Sequence, residues 1–83
     1  PLSQEQQGFT DWYSEANFVY YENNHFQHTL GLVDAEHWQA TRNSIKRILT
    51  KDAVRDYWAR NSHTYRESFQ SEVDKILNRI GAD

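Results

Sequence analysis

The chain of 83 residues contains no cysteine and no methionine, and it has one proline and three glycines. The lack of cysteine excludes disulfides, thiolate nucleophiles and thiolate metal ligands. The proline is the first residue, so no proline interrupts a helix farther along the chain. No apolar run approaches the roughly 18 residues that span a bilayer, and no signal peptide pattern is present. We therefore expect a soluble segment that makes no membrane contact itself.

Charge is unevenly distributed within the net charge of −3. Residues 1–33 contain four acidic side chains and no lysine or arginine, whereas residues 34–66 contain seven basic and four acidic side chains. The acidic first part is expected to lie beside the basic middle of the same chain or of a second copy. The basic band could contact phosphates, but acidic residues interrupt it and the whole chain is acidic, so we expect no nucleic-acid partner. This band consists of Arg42, Lys46, Arg47, Lys51, Arg55 and Arg60.

Capping signals divide the chain into helices. Ser3 followed by Gln6 has the form of a capping box, and Gly31 suits the left-handed residue that closes a helix, which predicts a first helix over Ser3–Leu30. Gly8 weakens its first turns, so firm helix is expected only from near Phe9. Asp34 is the expected N-cap of a second helix that runs to about Leu49.

Three later apolar faces recur at helical spacing. Thr50 is the expected cap of the third helix, a loop is expected over residues 61–64, and Gly81 is expected to end a fourth helix over about 67–80. The sequence predicts an all-α domain over residues 1–83, a compact bundle of about four helices organised on the long first helix. The apolar faces are Trp38, Thr41, Ile45, Ile48 and Leu49; Val54, Tyr57 and Trp58; and Phe69, Val73, Ile76, Leu77 and Ile80.

The first helix has two apolar sides. One side repeats at heptad spacing, and we call it the seam: Phe9, Trp12, Ala16, Val19, Asn23, Phe26 and Leu30. The other side, called the second face, holds Phe18, Tyr21, His25, His28 and Leu32. Both sides pack against the later helices, or one of them serves a protein partner or a second copy. The residues expected to bind such a partner are Trp12, Phe18, Val19, Tyr21 and His25.

The length of the first helix raises a related question. At 1.5 Å per residue it would be about 40 Å long, whereas each later helix would be about 17 to 24 Å long. Three arrangements resolve this mismatch: helices two and three lie end to end along the first, a second copy packs beside it, or its first turns fray. Asn23 within the seam either sets the register of a coiled coil or bonds to a tyrosine hydroxyl or water.

Glu22, His25 and His28 resemble part of a metal-binding helix, with His37 as the nearest further ligand. Steps of three residues rotate about 60° around the axis, so Glu22 and His28 diverge by about 120°. We expect no metal, no cofactor and no catalytic residues. A small metal-dependent enzyme or metal-binding protein that uses these four residues is the alternative.

Several short patterns together resemble a group of small helical bacterial proteins with no assigned activity. They are Phe18-x-Tyr20-Tyr21, Gly31-Leu32, Trp38-x-x-x-Arg42, Ile48-Leu49, Asp56-Tyr57-Trp58 and Phe69-x-x-Glu72-Val73-Asp74. The resemblance covers about residues 9–77 and implies a bacterial origin and an upstream membrane anchor that this chain lacks. It implies no activity. We therefore expect a non-enzymatic interaction or structural module that self-associates through its first helix.

Overall fold

The computed structural model describes residues 2–82, which form four α-helices and one short 3₁₀ turn. The all-α prediction is confirmed. The helices are α1 (Gln4–Thr29), α2 (Ala35–Ile48), α3 (Asp52–Asn61) and α4 (Glu67–Ala82), and the 3₁₀ turn spans Ser62–Thr64.

The ends of α1 form as the sequence predicts. The Ser3 hydroxyl accepts a bond from the Gln6 backbone N–H at 3.1 Å, and the Gln6 side chain accepts one from the Ser3 N–H at 2.9 Å. This reciprocal cap holds the first turn, so α1 is helical through Gly8 and does not wait for Phe9. At the other end Gly31 has φ 76°, and the N–H of Leu32 bonds the carbonyl of Gln27 at 2.9 Å. That is a Schellman motif, which glycine enters without steric cost.

The other caps are partly as predicted. The Asp34 carboxylate accepts a bond from the His37 N–H at 2.7 Å and starts α2. The prediction for Thr50 is wrong, because its hydroxyl donates to the Arg47 carbonyl at 2.7 Å and Lys51 occupies the N-cap of α3. Gly81 does not end α4 either; it lies inside the helix without a positive φ.

The core forms around Phe18 of α1, whose ring is fully buried. Its nearest aromatic neighbour is Trp58 of α3, with ring centres 4.8 Å apart, and Phe69 of α4 lies 6.5 Å away. The hydroxyls of Tyr57 and Tyr65 lie 2.8 Å apart within this cluster. The predicted inward residues of α2 and α3 are buried, and those of α4 are buried or packed against the core.

Helices α2 and α3 pack against different segments of α1, as expected if the second and third helices lie end to end along the first. In the N-terminal half of α1, Asp11 pairs with Arg60 of α3 at 2.8 Å. Farther along, His25 lies against Trp38 of α2, with ring centres 4.9 Å apart. The contact between Asp11 and Arg60 also places part of the acidic first helix beside the basic middle of the same chain. One side of α1 is therefore covered along most of its length.

Candidate interaction surface on the first helix

The second face enters the core from Phe18 to His25, whereas Leu32, which the spacing assigns to the same face, lies beyond the end of α1 and is exposed. Phe18, Tyr21 and His25 are exposed by only 0%, 5% and 6%. The expectation that these three residues bind a partner is therefore corrected, because all three are buried within the chain. The rings of Trp58 and Phe69 meet Phe18. Those of Trp38 and Phe69 meet His25. Tyr21 packs edge-on against Phe18, with ring centres 5.9 Å apart.

The seam of α1 faces away from this core. Phe9 is 65% exposed, Trp12 64%, Val19 53% and Leu30 57%. Ala16 and Asn23 are also exposed, and Phe26 is half-buried. At 3.6 residues per turn, the seam lies about 180° around α1 from the buried side chains of Ser14, Phe18 and Tyr21. The residues that could have formed a core thus form a mainly apolar strip on the surface, with Asn23 as its one polar member.

A groove of about 430 Å³ lies at the middle of the seam. Ala16 has the smallest side chain among the residues that line it. The residues that line it are Ala16, Val19, Tyr20, Glu22, Asn23, Phe26 and Arg66. Because Ala16 is small and flanked by larger groups, the surface here is concave and can receive a side chain from another helix.

Arg66, just before α4, fixes one edge of this groove. Its guanidinium lies 4.0 Å from the centre of the Phe26 ring, a cation–π contact. Its backbone N–H donates to the Glu22 carboxylate at 2.7 Å. Sequence reasoning missed Arg66, because no local pattern links two residues that are 44 positions apart.

A second groove, of about 300 Å³, flanks the start of the seam. Phe9 and Tyr13 line it from α1, and Lys51, Ala53 and Val54 line it from the start of α3. The Lys51 ammonium lies 5.6 Å from the Tyr13 ring centre. The two grooves extend the exposed apolar surface sideways from the seam, with one cation at the border of each.

The predicted metal-binding alternative gains no support from the geometry. The ring of His28 stacks on Trp38, and its Nδ1 lies 3.4 Å from the Val33 carbonyl oxygen. His25 turns its Nε2 toward Glu72, 3.9 Å away, rather than toward Glu22. Among residues 2–82, no three His, Asp or Glu side chains come together as metal ligands.

Burial decides the charge of His25. Loss of water around the ring lowers its pKa, and the nearby Glu72 carboxylate opposes this effect without reversing it. His25 is therefore a neutral member of the core near pH 7. In contrast, the hydrogen bond from the Arg60 guanidinium holds the pKa of the Asp11 carboxyl below its usual value.

The basic band is divided by its own ion pairs. Arg60 pairs with Asp11 and Asp56, and Arg55 pairs with Asp52. Arg42 and Lys46 instead line a small groove of about 100 Å³, together with Arg79 of α4. The band is therefore not one continuous positive surface.

No helix within residues 2–82 combines the length and apolar character needed to cross a membrane. Comparison of the chain with family models, curated proteins and solved structures finds no match.

Proposed function

We propose that this domain is a non-enzymatic interaction module that self-associates through the seam of α1. The observation that carries the proposal is the exposure of most of a heptad repeat along a helix whose opposite side packs against the rest of the chain. A heptad seam is self-complementary, because each apolar side chain of one helix fits between side chains of an identical helix. A second copy is therefore the occupant that the pattern itself specifies.

The exposed apolar area of the seam is large enough to form an interface with a second copy. An aromatic side chain offers about 150 to 250 Å², so Phe9, Trp12 and Tyr20, each more than half exposed, leave roughly 100 to 150 Å² apiece in water. With Val19 and Leu30 the strip reaches roughly 500 Å², within the range of patches that are often functional on monomers. Two copies would remove about 1,000 Å², near the lower limit for a specific interface.

The position of the seam also makes room for a second copy. In each copy α2, α3 and α4 lie on the side of α1 that buries Phe18, opposite the seam. Pairing of two seams would therefore place these three helices of each copy on the outside of the dimer, away from those of the other copy. Tyr13 and Tyr20, which line the two grooves beside the seam, would then become part of the contact.

Sedimentation equilibrium from micromolar to millimolar protein tests the proposal. The expected mass rises from the monomer value of 9.9 kDa toward twice that value. Trp12→Glu should raise the dissociation constant by roughly 30-fold or more, as loss of an aromatic anchor worth about 2 kcal/mol does.

Leu32→Glu is the matched control, because Leu32 is 71% exposed but lies beyond the end of α1 and off the seam. This variant should associate as the parent chain does. A mass that stays at 9.9 kDa at millimolar concentration would refute self-association. Equal weakening by both substitutions would show that the contact is not on the seam.

A further inference from the structure

We propose that two copies pair their α1 helices in parallel and in register, so that Asn23 of one copy faces Asn23 of the other. This inference rests on the proposed self-association and specifies its geometry. Three features of the exposed surface support it: the charges beside the seam, the polar residue within it, and the shape of the central groove.

The charges beside the seam favour the parallel orientation. Glu15 and Glu22 lie on one flank of the seam, where Arg66 is the neighbouring basic residue of Glu22, and Tyr20 and Gln27 lie on the other flank. In a parallel pair each flank meets the opposite flank of the partner, so the carboxylates face tyrosine and glutamine side chains. In an antiparallel pair like flanks meet, and the carboxylates would face one another across the interface. Like charges in contact repel, which disfavours that arrangement.

Asn23 favours the same orientation. It holds the position in the heptad that Phe9, Ala16 and Leu30 also hold, and its side chain is exposed. In a parallel, in-register pair this position faces its own copy, so two amides can donate and accept hydrogen bonds. In an antiparallel pair it would face Trp12, Val19 or Phe26, and a buried amide would have no partner.

The central groove has the shape that this register needs. Residues at i, i+3, i+4 and i+7 surround a hole on a helix surface, into which one side chain of a facing helix inserts. Two successive holes open into the groove of about 430 Å³. In the parallel, in-register pair, Val19 of the second copy enters the first and Asn23 of the second copy enters the next. The holes are formed by Ala16, Val19, Tyr20 and Asn23, and by Val19, Glu22, Asn23 and Phe26.

The absence of cysteine makes the register directly measurable. Ala16→Cys and Asn23→Cys each introduce a single thiol at an exposed seam position, about 10 Å apart along the helix at 1.5 Å per residue. A disulfide requires the two Cα atoms to lie within about 7 Å. In the parallel pair both variants satisfy this requirement, whereas an antiparallel pair brings at most one of these positions against its own copy.

Ser71→Cys, on an exposed position of α4, is the matched control for random collision. Each variant is oxidised at a protein concentration at which sedimentation of the reduced protein shows the dimer, and the products are resolved on a denaturing gel without reductant. Both seam variants should form disulfide dimers about 10-fold or more faster than Ser71→Cys at the same protein concentration, since pairing holds the two seam thiols beside each other and raises their effective concentration above that of free thiols in solution.

A dimer by sedimentation in which only one seam variant cross-links, or neither, would overturn the parallel register and leave self-association intact. Equal cross-linking of Ser71→Cys would also overturn the register. A monomer by sedimentation at every concentration would overturn both proposals.

Discussion

Two phenylalanines on opposite sides of α1 provide a direct test of which side is the core. Phe18 is fully buried, and Phe9 is 65% exposed. We expect Phe18→Ala to destabilise the fold and Phe9→Ala to leave the isolated chain nearly unchanged. The two substitutions remove the same atoms from the same helix, so the comparison isolates the effect of burial.

The magnitudes follow from the surroundings of each ring. Removal of a buried phenylalanine costs about 3 to 5 kcal/mol, and the packed rings of Tyr57, Trp58 and Phe69 place Phe18 toward the upper end. A chain of 83 residues has roughly 4 to 12 kcal/mol of unfolding free energy in total. Phe18→Ala should therefore lower the melting temperature by about 15 °C or more.

Phe9→Ala should change the unfolding free energy by less than about 0.5 kcal/mol. Only about a third of the Phe9 surface is removed from water, and alanine is the better helix former, which offsets part of that loss.

Urea unfolding followed by far-UV circular dichroism measures both effects at micromolar protein, where the seam is unpaired. The denaturant dependence should keep the same slope for all chains, so that the midpoint reports stability. A loss for Phe9→Ala that equals the loss for Phe18→Ala would refute the assignment of the two sides of α1. At millimolar protein, Phe9→Ala should lose stability relative to the parent chain, because association then adds to stability.

Three further predictions concern the backbone, a titrating group and a buried polar pair. Gly8→Ala should raise the unfolding free energy by about 0.5 to 1 kcal/mol, since a Cβ there meets no atom within 4 Å and alanine is the better helix former. Gly31→Ala should lower it by about 1 kcal/mol, because alanine is strained at a φ of 76°. Thermal melts of the two variants and the parent chain measure both changes. His25 has a lowered pKa in the folded chain, so the unfolded chain binds more protons below about pH 6.5, and stability should fall as pH drops through this range. Urea titrations of the parent and His25→Gln at pH 7.5 and 5 check this, and an equal decline in both would contradict it. Tyr65→Phe should cost about 1 to 2 kcal/mol by leaving the Tyr57 hydroxyl without its partner, and the double phenylalanine variant should lose less than the sum of the two single changes.

Local chemistry made much of the fold predictable. The cap at Ser3, the cap at Asp34 and the left-handed Gly31 each depend on residues within five positions of one another. The predicted start of α3 at Thr50 and the predicted end of α4 at Gly81 are wrong for local reasons. The Thr50 hydroxyl donates to the Arg47 carbonyl at the end of α2 instead of capping α3, and Gly81 tolerates ordinary helical backbone as readily as a left-handed turn.

The orientation of α1 was not predictable from its own residues. Phe9 and Trp12 on the seam are as apolar as Phe18 and Tyr21 on the second face, so periodicity alone ranks both sides equally. The choice depends on Trp58 and Phe69, which lie 40 and 51 positions after Phe18 and supply the rings that surround it. Of the five predicted partner residues, the structure leaves Trp12 and Val19 exposed, and their role in binding stays a prediction.

The sequence separation between Phe18 and Phe69 affects how the chain folds during synthesis. Synthesis runs from the N-terminus, so α1 is complete before any residue of α4 exists. Until Phe69 has been synthesised, the side of α1 that carries Phe18 is only partly covered, and Phe9 and Trp12 on the other side are exposed as well. Exposed apolar surface of this kind is prone to aggregate. The last helix therefore acts as a late closing step, and chains that end before it should be preferred targets for chaperones and proteases.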